Sequence, residues 1–186
     1  MITASQKRKE NIAEYLLYMW QIEDIIRANN LDIEKIKKNV IDHYAGLTDE
    51  QRRQMTEWYE SLIDMMRREG VEQKGHLQIN SNVLGDLVAL HQILLKDPRF
   101  ADYSSEFYKT LPYIVELRSK AGEEKSGEIE TCFNALYGML MMRLQKKEIS
   151  EATANALRQI SKFIAILAHD YKLDEENKLF ENDGKK

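Results

Sequence analysis

The stretch 83–95, which reads VLGDLVALHQILL, most strongly constrains what this chain can fold into. Wound as an α-helix at about 100° per residue, it is apolar around nearly its whole circumference. Such a helix is typical of the middle of a bundle, where other helices contact it on several sides. We therefore expect a central helix over roughly 76–96. Its broadest apolar face would hold Val83, Leu84, Leu87, Val88, His91, Leu94 and Leu95.

Turn-forming residues are scarce, with 8 Gly and 2 Pro among 186 residues. This scarcity favours long helices over many short strands. Apolar residues recur at helical spacing along the chain, and no convincing strand candidate is found. The sequence predicts an all-α fold: a single-domain helical bundle of about six to seven helices over 1–173. The charged segment 174–186 is expected to be a frayed or disordered tail.

Local capping signals set the expected helix boundaries. The strongest is the capping-box pattern that Thr48 opens and Gln51 completes. A sixth helix is expected over about 128–147, with Leu144 facing inward. The other expectations are a first helix from about 5 to 29, N-caps at Asp32 and Ser150, a stop at Gly70, a kink or break at Pro112, and a loop at 121–127.

Charge and cysteine content narrow the possible partners and compartment. The formal net charge is -4 and the basic residues are scattered, which disfavours nucleic-acid binding; Arg52-Arg53 with Arg67-Arg68 is kept as a weaker alternative. The single cysteine, Cys132, cannot form an internal disulfide, so a cytoplasmic protein is expected. The charged N-terminus does not resemble a signal peptide. No apolar run is long enough for a membrane span.

The sequence lacks the spacing of known catalytic and metal-binding motifs. Of the four histidines, only His76 has a carboxylate three or four residues away, at Glu72, and a glycine-containing connection separates them. Phosphate loops, zinc-protease runs and nucleophile elbows are absent. Cys132 falls on an inward helix face and is interpreted as packing. We expect no metal and no cofactor, and the sequence leans against an enzyme.

Two polar residues on apolar faces are candidate ligand-binding residues. His91 lies on the widest apolar face of the central helix, where an unpaired imidazole would be costly. The simpler interpretation is a neutral core histidine bonded to a tyrosine or a carbonyl. Arg143 lies between Leu136 and Leu140 by helical angle and could hold a carboxylate. The simpler interpretation there is an aliphatic stem over the core edge and a head in water.

Leu17 and Trp20 form a candidate partner interface. They lie on the side of the first helix that is otherwise lined by Glu10, Gln21 and Asp24. Large apolar residues there imply either cover from the same domain, which we favour, or contact with another chain. If the intramolecular cover is lacking, a homodimer is the next expectation.

The patterns EYLLYMWQIEDIIRA near the start and VLGDLVALHQILLKDPRF at the centre resemble a bacterial family of uncharacterised all-helical proteins of about this length. The resemblance covers essentially the whole chain and implies a cytoplasmic helical protein. It implies no activity, cofactor or site residue, because the family has none established.

Two functions remain open from the sequence. The leading prediction is a non-enzymatic protein-interaction or structural or regulatory module that binds itself as a homodimer or binds another protein. The alternative is a small-molecule-binding helical bundle whose pocket is polarised by His91 or Arg143.

Overall fold

The structure, a computed structural model, describes residues 2–120 and 126–181. Within these ranges the chain forms eight α-helices and two 3₁₀ helices and no strand, which confirms the all-α prediction. The α-helices are α1 (Ile2–Glu10), α2 (Ile12–Ala28), α3 (Ile33–Asn39), α4 (Asp49–Glu69), α5 (Gln78–Lys96), α6 (Ala101–Lys120), α7 (Glu128–Leu144) and α8 (Glu151–Glu175); the 3₁₀ helices are Ile41–His43 and Pro98–Phe100.

The chain folds into two compact units. Unit 1 comprises the residues through Lys9 together with Glu14–Asn82, and unit 2 comprises Glu10–Ala13 together with the residues from Val83 onward. Helix α5 begins in unit 1, and its longer part belongs to unit 2. No helix in the described ranges is long and apolar enough to cross a membrane.

The first predicted helix is divided at Asn11, so the expectation of one continuous helix over 5–29 is wrong. The side-chain oxygen of Asn11 accepts a hydrogen bond from the backbone N–H of Ala13 at 3.0 Å. This is how an asparagine caps a helix N-terminus. A local cap therefore starts a second helix inside a segment whose apolar spacing is continuous.

The other capping signals of unit 1 are confirmed. The Asp32 carboxylate accepts hydrogen bonds from backbone N–H groups in the first turn of α3. Thr48 and Gln51 form both hydrogen bonds of a capping box at the start of α4. Gly70 ends α4 in the left-handed conformation, with φ of 69°, which a side chain would disfavour. These bonds satisfy helix-end groups that would otherwise lack partners.

In unit 2, α5 buries one face and exposes the other, which corrects the expectation that it is enclosed on all sides. The side chains of Val88 and Ile93 are 36% and 51% exposed. Apolar composition alone does not bury a side chain, because the neighbouring helices cover only part of the circumference. The buried face consists of Val83, Leu87, Leu90, His91 and Leu94.

Helices α6, α7 and α8 of unit 2 pack against one another. Helix α6 continues through Pro112, so a break there is excluded. Helix α7 ends at Leu144, whose side chain is exposed, and not at 147 with Leu144 inward. Ser150 caps α8 as predicted. Most of the predicted loop at 121–127 lies outside the described residues, and residues 126 and 127 are not helical.

The described part of the expected tail, 174–181, contains the end of α8 followed by turns. Helix α8 extends to Glu175, beyond the predicted domain end at 173. The ring of Phe180 then meets that of Phe100 edge-on, with centroids 5.7 Å apart, and lies beneath the Arg99 guanidinium. Aromatic contacts thus occur within a segment whose charge predicted fraying. The last part of the predicted tail, 182–186, lies outside the described residues.

Candidate functional site

His91 lies in the interior of unit 2, where it is 1% exposed. Its Nδ1 is hydrogen-bonded to the Tyr103 hydroxyl at 2.7 Å. The rings of Phe107 and Phe163 meet the imidazole edge-on, with centroids 4.9 and 5.9 Å away. Side chains from α6 and α8 therefore fix the orientation of a histidine that α5 carries.

The hydrogen bond to Tyr103 leads us to assign the imidazole proton to Nε2. Burial raises the pKa of Tyr103 above its usual value, so the phenol retains its proton and donates it toward Nδ1. Burial also lowers the pKa of His91, although the nearby Glu128 carboxylate acts in the opposite direction. The result is a neutral imidazole with an Nε2–H donor.

That donor has no hydrogen-bond partner among the described residues. Its nearest charged group is Oε2 of Glu128, which at 3.6 Å lies beyond hydrogen-bonding distance. His91 and Glu128 both line an open cavity of about 240 Å³. The remaining lining residues are Val88, Gln92, Arg118, Gly127 and Ile129.

Further donors surround this cavity, which we call the His91 cavity. The Nε of Arg118 is also buried and lacks a hydrogen-bond partner in the part of the chain that the structure describes. Helix α7 begins after Gly127, which has no side chain to cap the first turn. The first backbone N–H groups of a helix carry a partial positive charge. His91 of α5, Arg118 of α6 and the first residues of α7 thus line one cavity.

Of the two predicted ligand-binding residues, the structure places His91 at a cavity and Arg143 away from it. Arg143 is exposed near the end of α7, while the His91 cavity lies at the start of that helix. The guanidinium that accompanies His91 belongs to Arg118, which the sequence analysis did not single out. Arg118 was missed because it lies at the polar end of α6, where an arginine is unremarkable.

A second histidine–glutamate pair, His76 with Glu23, lies in unit 1, where Glu23 of α2 is completely buried. The carboxylate accepts three hydrogen bonds: from His76 Nδ1 at 2.6 Å, from the backbone N–H of Leu77 at 2.9 Å, and from the Asn80 amide at 2.6 Å. Leu77 immediately precedes α5, so Glu23 caps this helix from a distant part of the sequence.

Trp20 is buried. Its indole is 2% exposed and stacks on the His76 ring, with centroids 4.1 Å apart and planes 11° from parallel. The burial of Trp20 agrees with the intramolecular cover that we favoured, and a partner interface at Leu17 and Trp20 stays a prediction. Leu17 is half-buried.

One sequence signal could have revealed the Glu23 cluster. Glu23 continues the buried stripe of α2 that contains Leu16, Met19 and Ile26, so it interrupts a face that is otherwise apolar. A carboxylate at such a position must find hydrogen-bond donors. Its partners could not be inferred, because His76 is 53 residues away along the chain.

Two further polar groups of unit 2 have structural explanations. Burial raises the pKa of the Cys132 thiol to about 12, so it remains protonated and is a poor nucleophile. The Glu106 carboxylate accepts hydrogen bonds from Lys162 and Gln159 of α8, which lower its pKa to about 2. The described residues contain no group of three or more acidic, histidine or cysteine side chains that could share a metal ion.

An all-helical fold with a donor-lined cavity in unit 2 and a closed carboxylate cluster in unit 1 defines the protein in structural terms. The chain belongs to the family described as Domain of unknown function (DUF4924), whose model matches residues 1–178. This confirms the resemblance to a family of uncharacterised proteins. No curated protein and no solved structure matches the chain.

Proposed function

We propose that this protein is a cytoplasmic small-molecule-binding protein whose ligand occupies the His91 cavity. The observation that carries the proposal is the Nε2–H of His91, a buried donor that has no hydrogen-bond partner among the described residues and that lines an open cavity. A buried polar group without a hydrogen bond costs about 1–3 kcal/mol. A ligand acceptor at this point would recover that energy on binding.

The size of the cavity favours a small ligand. At about 240 Å³ it falls just below the roughly 300–1,000 Å³ typical of pockets for drug-sized molecules. Its walls combine apolar groups from Val88 and Ile129 with polar groups from His91 and Arg118. A few fixed polar groups in a partly apolar cleft is the usual composition of a specific small-molecule site.

Ligand screening against matched histidine variants tests this function. A panel of small acids, amides, amines and alcohols is screened by NMR on the ¹⁵N-labelled protein. We expect at least one class to shift the backbone resonances of Gln92 and Ile129. The shifts should disappear in His91→Gln and persist in His43→Gln, a control at an exposed histidine of unit 1.

Circular dichroism and the thermal midpoint establish that His91→Gln is folded. If it is not, Arg118→Met provides the same test at a less buried position of the cavity. Binding that is unchanged in these variants, or the absence of binding by any class, would overturn the proposal.

A second candidate function, self-association, is supported by the exposed face of α6. Tyr108 and Val115 are both exposed and are seven residues apart, so they lie on one stripe of this helix. An exposed apolar stripe is a feature of protein contacts. Sedimentation velocity on the wild type and on Tyr108→Ser with Val115→Ser tests it. We expect a dimer that the double substitution dissociates, and a monomeric wild type would contradict it.

A further inference from the structure

The donors of the His91 cavity converge from three separate segments of unit 2. The His91 imidazole comes from α5, the Arg118 guanidinium from α6, and the start of α7, where Gly127 provides no side-chain cap, completes the set. The guanidinium is permanently charged, and the helix start adds partial positive charge. Such a set of groups favours an anionic acceptor over a neutral one.

The position of Glu128 indicates which kind of anion suits the site. Its carboxylate lies 3.6 Å from Nε2 of His91 and does not form the hydrogen bond. The side chain is 34% exposed, so part of it is already in contact with solvent. A carboxylate group therefore already lies within ion-pair distance of this imidazole, which indicates the kind of charge that the donor attracts.

The apolar residues that line the cavity indicate what the uncharged part of the ligand consists of. Val88 and Ile129 supply apolar surface next to the donors. A short hydrocarbon chain would gain contact there, whereas a fully hydrated anion would lose water without compensation.

We propose that the ligand of the His91 cavity is a short-chain monocarboxylate. One carboxylate oxygen accepts from Nε2–H of His91, and the other accepts from the Arg118 guanidinium. The Glu128 carboxylate turns toward solvent, and the alkyl chain lies against Val88 and Ile129. This inference rests on the proposed function and names the class of ligand that the same site takes.

The test is a calorimetric and NMR titration with butyrate as the probe. Butyramide, butylamine and inorganic phosphate are the comparison probes, because they alter the charge or remove the alkyl chain. We expect butyrate to bind and to shift the resonances of Ile129, and the three comparison probes to bind at least tenfold more weakly.

Substitutions at two arginines provide a matched control. Arg118→Met retains the aliphatic stem and removes the guanidinium, and we expect it to weaken butyrate binding at least tenfold. Arg143→Met makes the same change at an exposed site outside the cavity, and binding should remain as in the wild type. Glu128→Gln removes a like charge and should tighten butyrate binding roughly two- to fivefold.

The outcomes separate this inference from the proposed function. If butylamine or butyramide binds with dependence on His91 while butyrate does not, the monocarboxylate is wrong and the binding function stands. If phosphate binds more tightly than butyrate, the apolar part of the inference is wrong. If no probe binds, or if Arg143→Met weakens binding as much as Arg118→Met does, the inference is overturned.

Discussion

Each unit contains a histidine next to a glutamate, and the two pairs are buried in opposite ways. In unit 1 the carboxylate is interior and the histidine reaches the surface: Glu23 is 0% and His76 is 30% exposed. In unit 2 the histidine is interior and the carboxylate reaches the surface: His91 is 1% and Glu128 is 34% exposed. The first pair is in contact at 2.6 Å, and the second is separated by 3.6 Å.

The difference teaches that burial of a polar pair does not by itself indicate a binding site. Glu23 accepts hydrogen bonds from three groups of its own unit, and its cluster is closed by the stacked ring of Trp20. His91 has a partner for Nδ1 and none for Nε2 among the described residues. A buried carboxylate whose two oxygens are both hydrogen-bonded within its own unit stabilises the fold, whereas an unpaired donor beside a cavity can bind a ligand.

The largest effect on the free energy of unfolding is expected when the carboxylate is removed from the Glu23–His76 pair, which we call the closed pair. Glu23→Leu leaves the Leu77 N–H and the Asn80 amide buried without an acceptor. We expect the free energy of unfolding to fall by about 3 kcal/mol. Urea denaturation measures the loss. The control Glu14→Leu, on the exposed side of the same helix, should change the free energy of unfolding by less than about 0.5 kcal/mol. Equal losses in the two variants would show that Glu23 does not stabilise the fold through its buried hydrogen bonds.

Removal of the histidine from the closed pair should have a smaller effect. His76→Leu deletes one hydrogen bond to Glu23 and the stacking on Trp20, but it leaves two donors on the carboxylate. We expect a loss of about 2 kcal/mol in the free energy of unfolding. A double-mutant cycle with Glu23→Leu should show that the two losses are not additive. Additive losses would mean that the two residues act independently.

The His91–Glu128 pair, which we call the open pair, should make the stability of the protein depend on pH. Burial lowers the pKa of His91 below the 6.5 of an unperturbed histidine. The unfolded chain then takes up this proton at higher pH than the folded chain does, so stability is full above about pH 6.5 and falls as the pH decreases. As the pH falls below about 6.5, the wild type should lose stability relative to His91→Gln. Urea denaturation across this range measures it, and parallel pH profiles would contradict the assignment.

The smallest effect is expected at the carboxylate of the open pair. Glu128→Gln removes a partly exposed charge that lies 3.6 Å from Nε2 of His91. We expect the free energy of unfolding to change by less than about 0.5 kcal/mol. Thermal and urea denaturation at pH 7 check this value. A loss comparable to that of Glu23→Leu would mean that the two pairs are equivalent and that unit 2 contains no open donor.

Features that depend on neighbouring residues were predictable from the sequence. The capping box at Thr48, the N-caps at Asp32 and Ser150, and the glycine stop at Gly70 each involve residues within one helical turn. The break at Asn11 is equally local, but it was missed because the apolar spacing continues across it. Capping by one asparagine there outweighed the periodicity.

Features that depend on distant residues were not predictable. That Val88 is exposed and Leu90 buried follows from which helices cover α5, and apolar content does not contain this information. His91 was identified because an imidazole on an apolar face needs a partner, and Tyr103 supplies it. Arg118 and Glu23 escaped notice because their significance arises only from contacts across the fold.

Because Cys132 is buried, its labelling can report how often the interior of unit 2 opens, without an engineered probe. It is the chain's single cysteine, and with a pKa of about 12 roughly one thiol in ten thousand is ionised at pH 8 while the fold is closed. A maleimide can therefore label the chain only during the brief excursions that separate α7 from its neighbours. The labelling rate reports how often that part of the molecule opens.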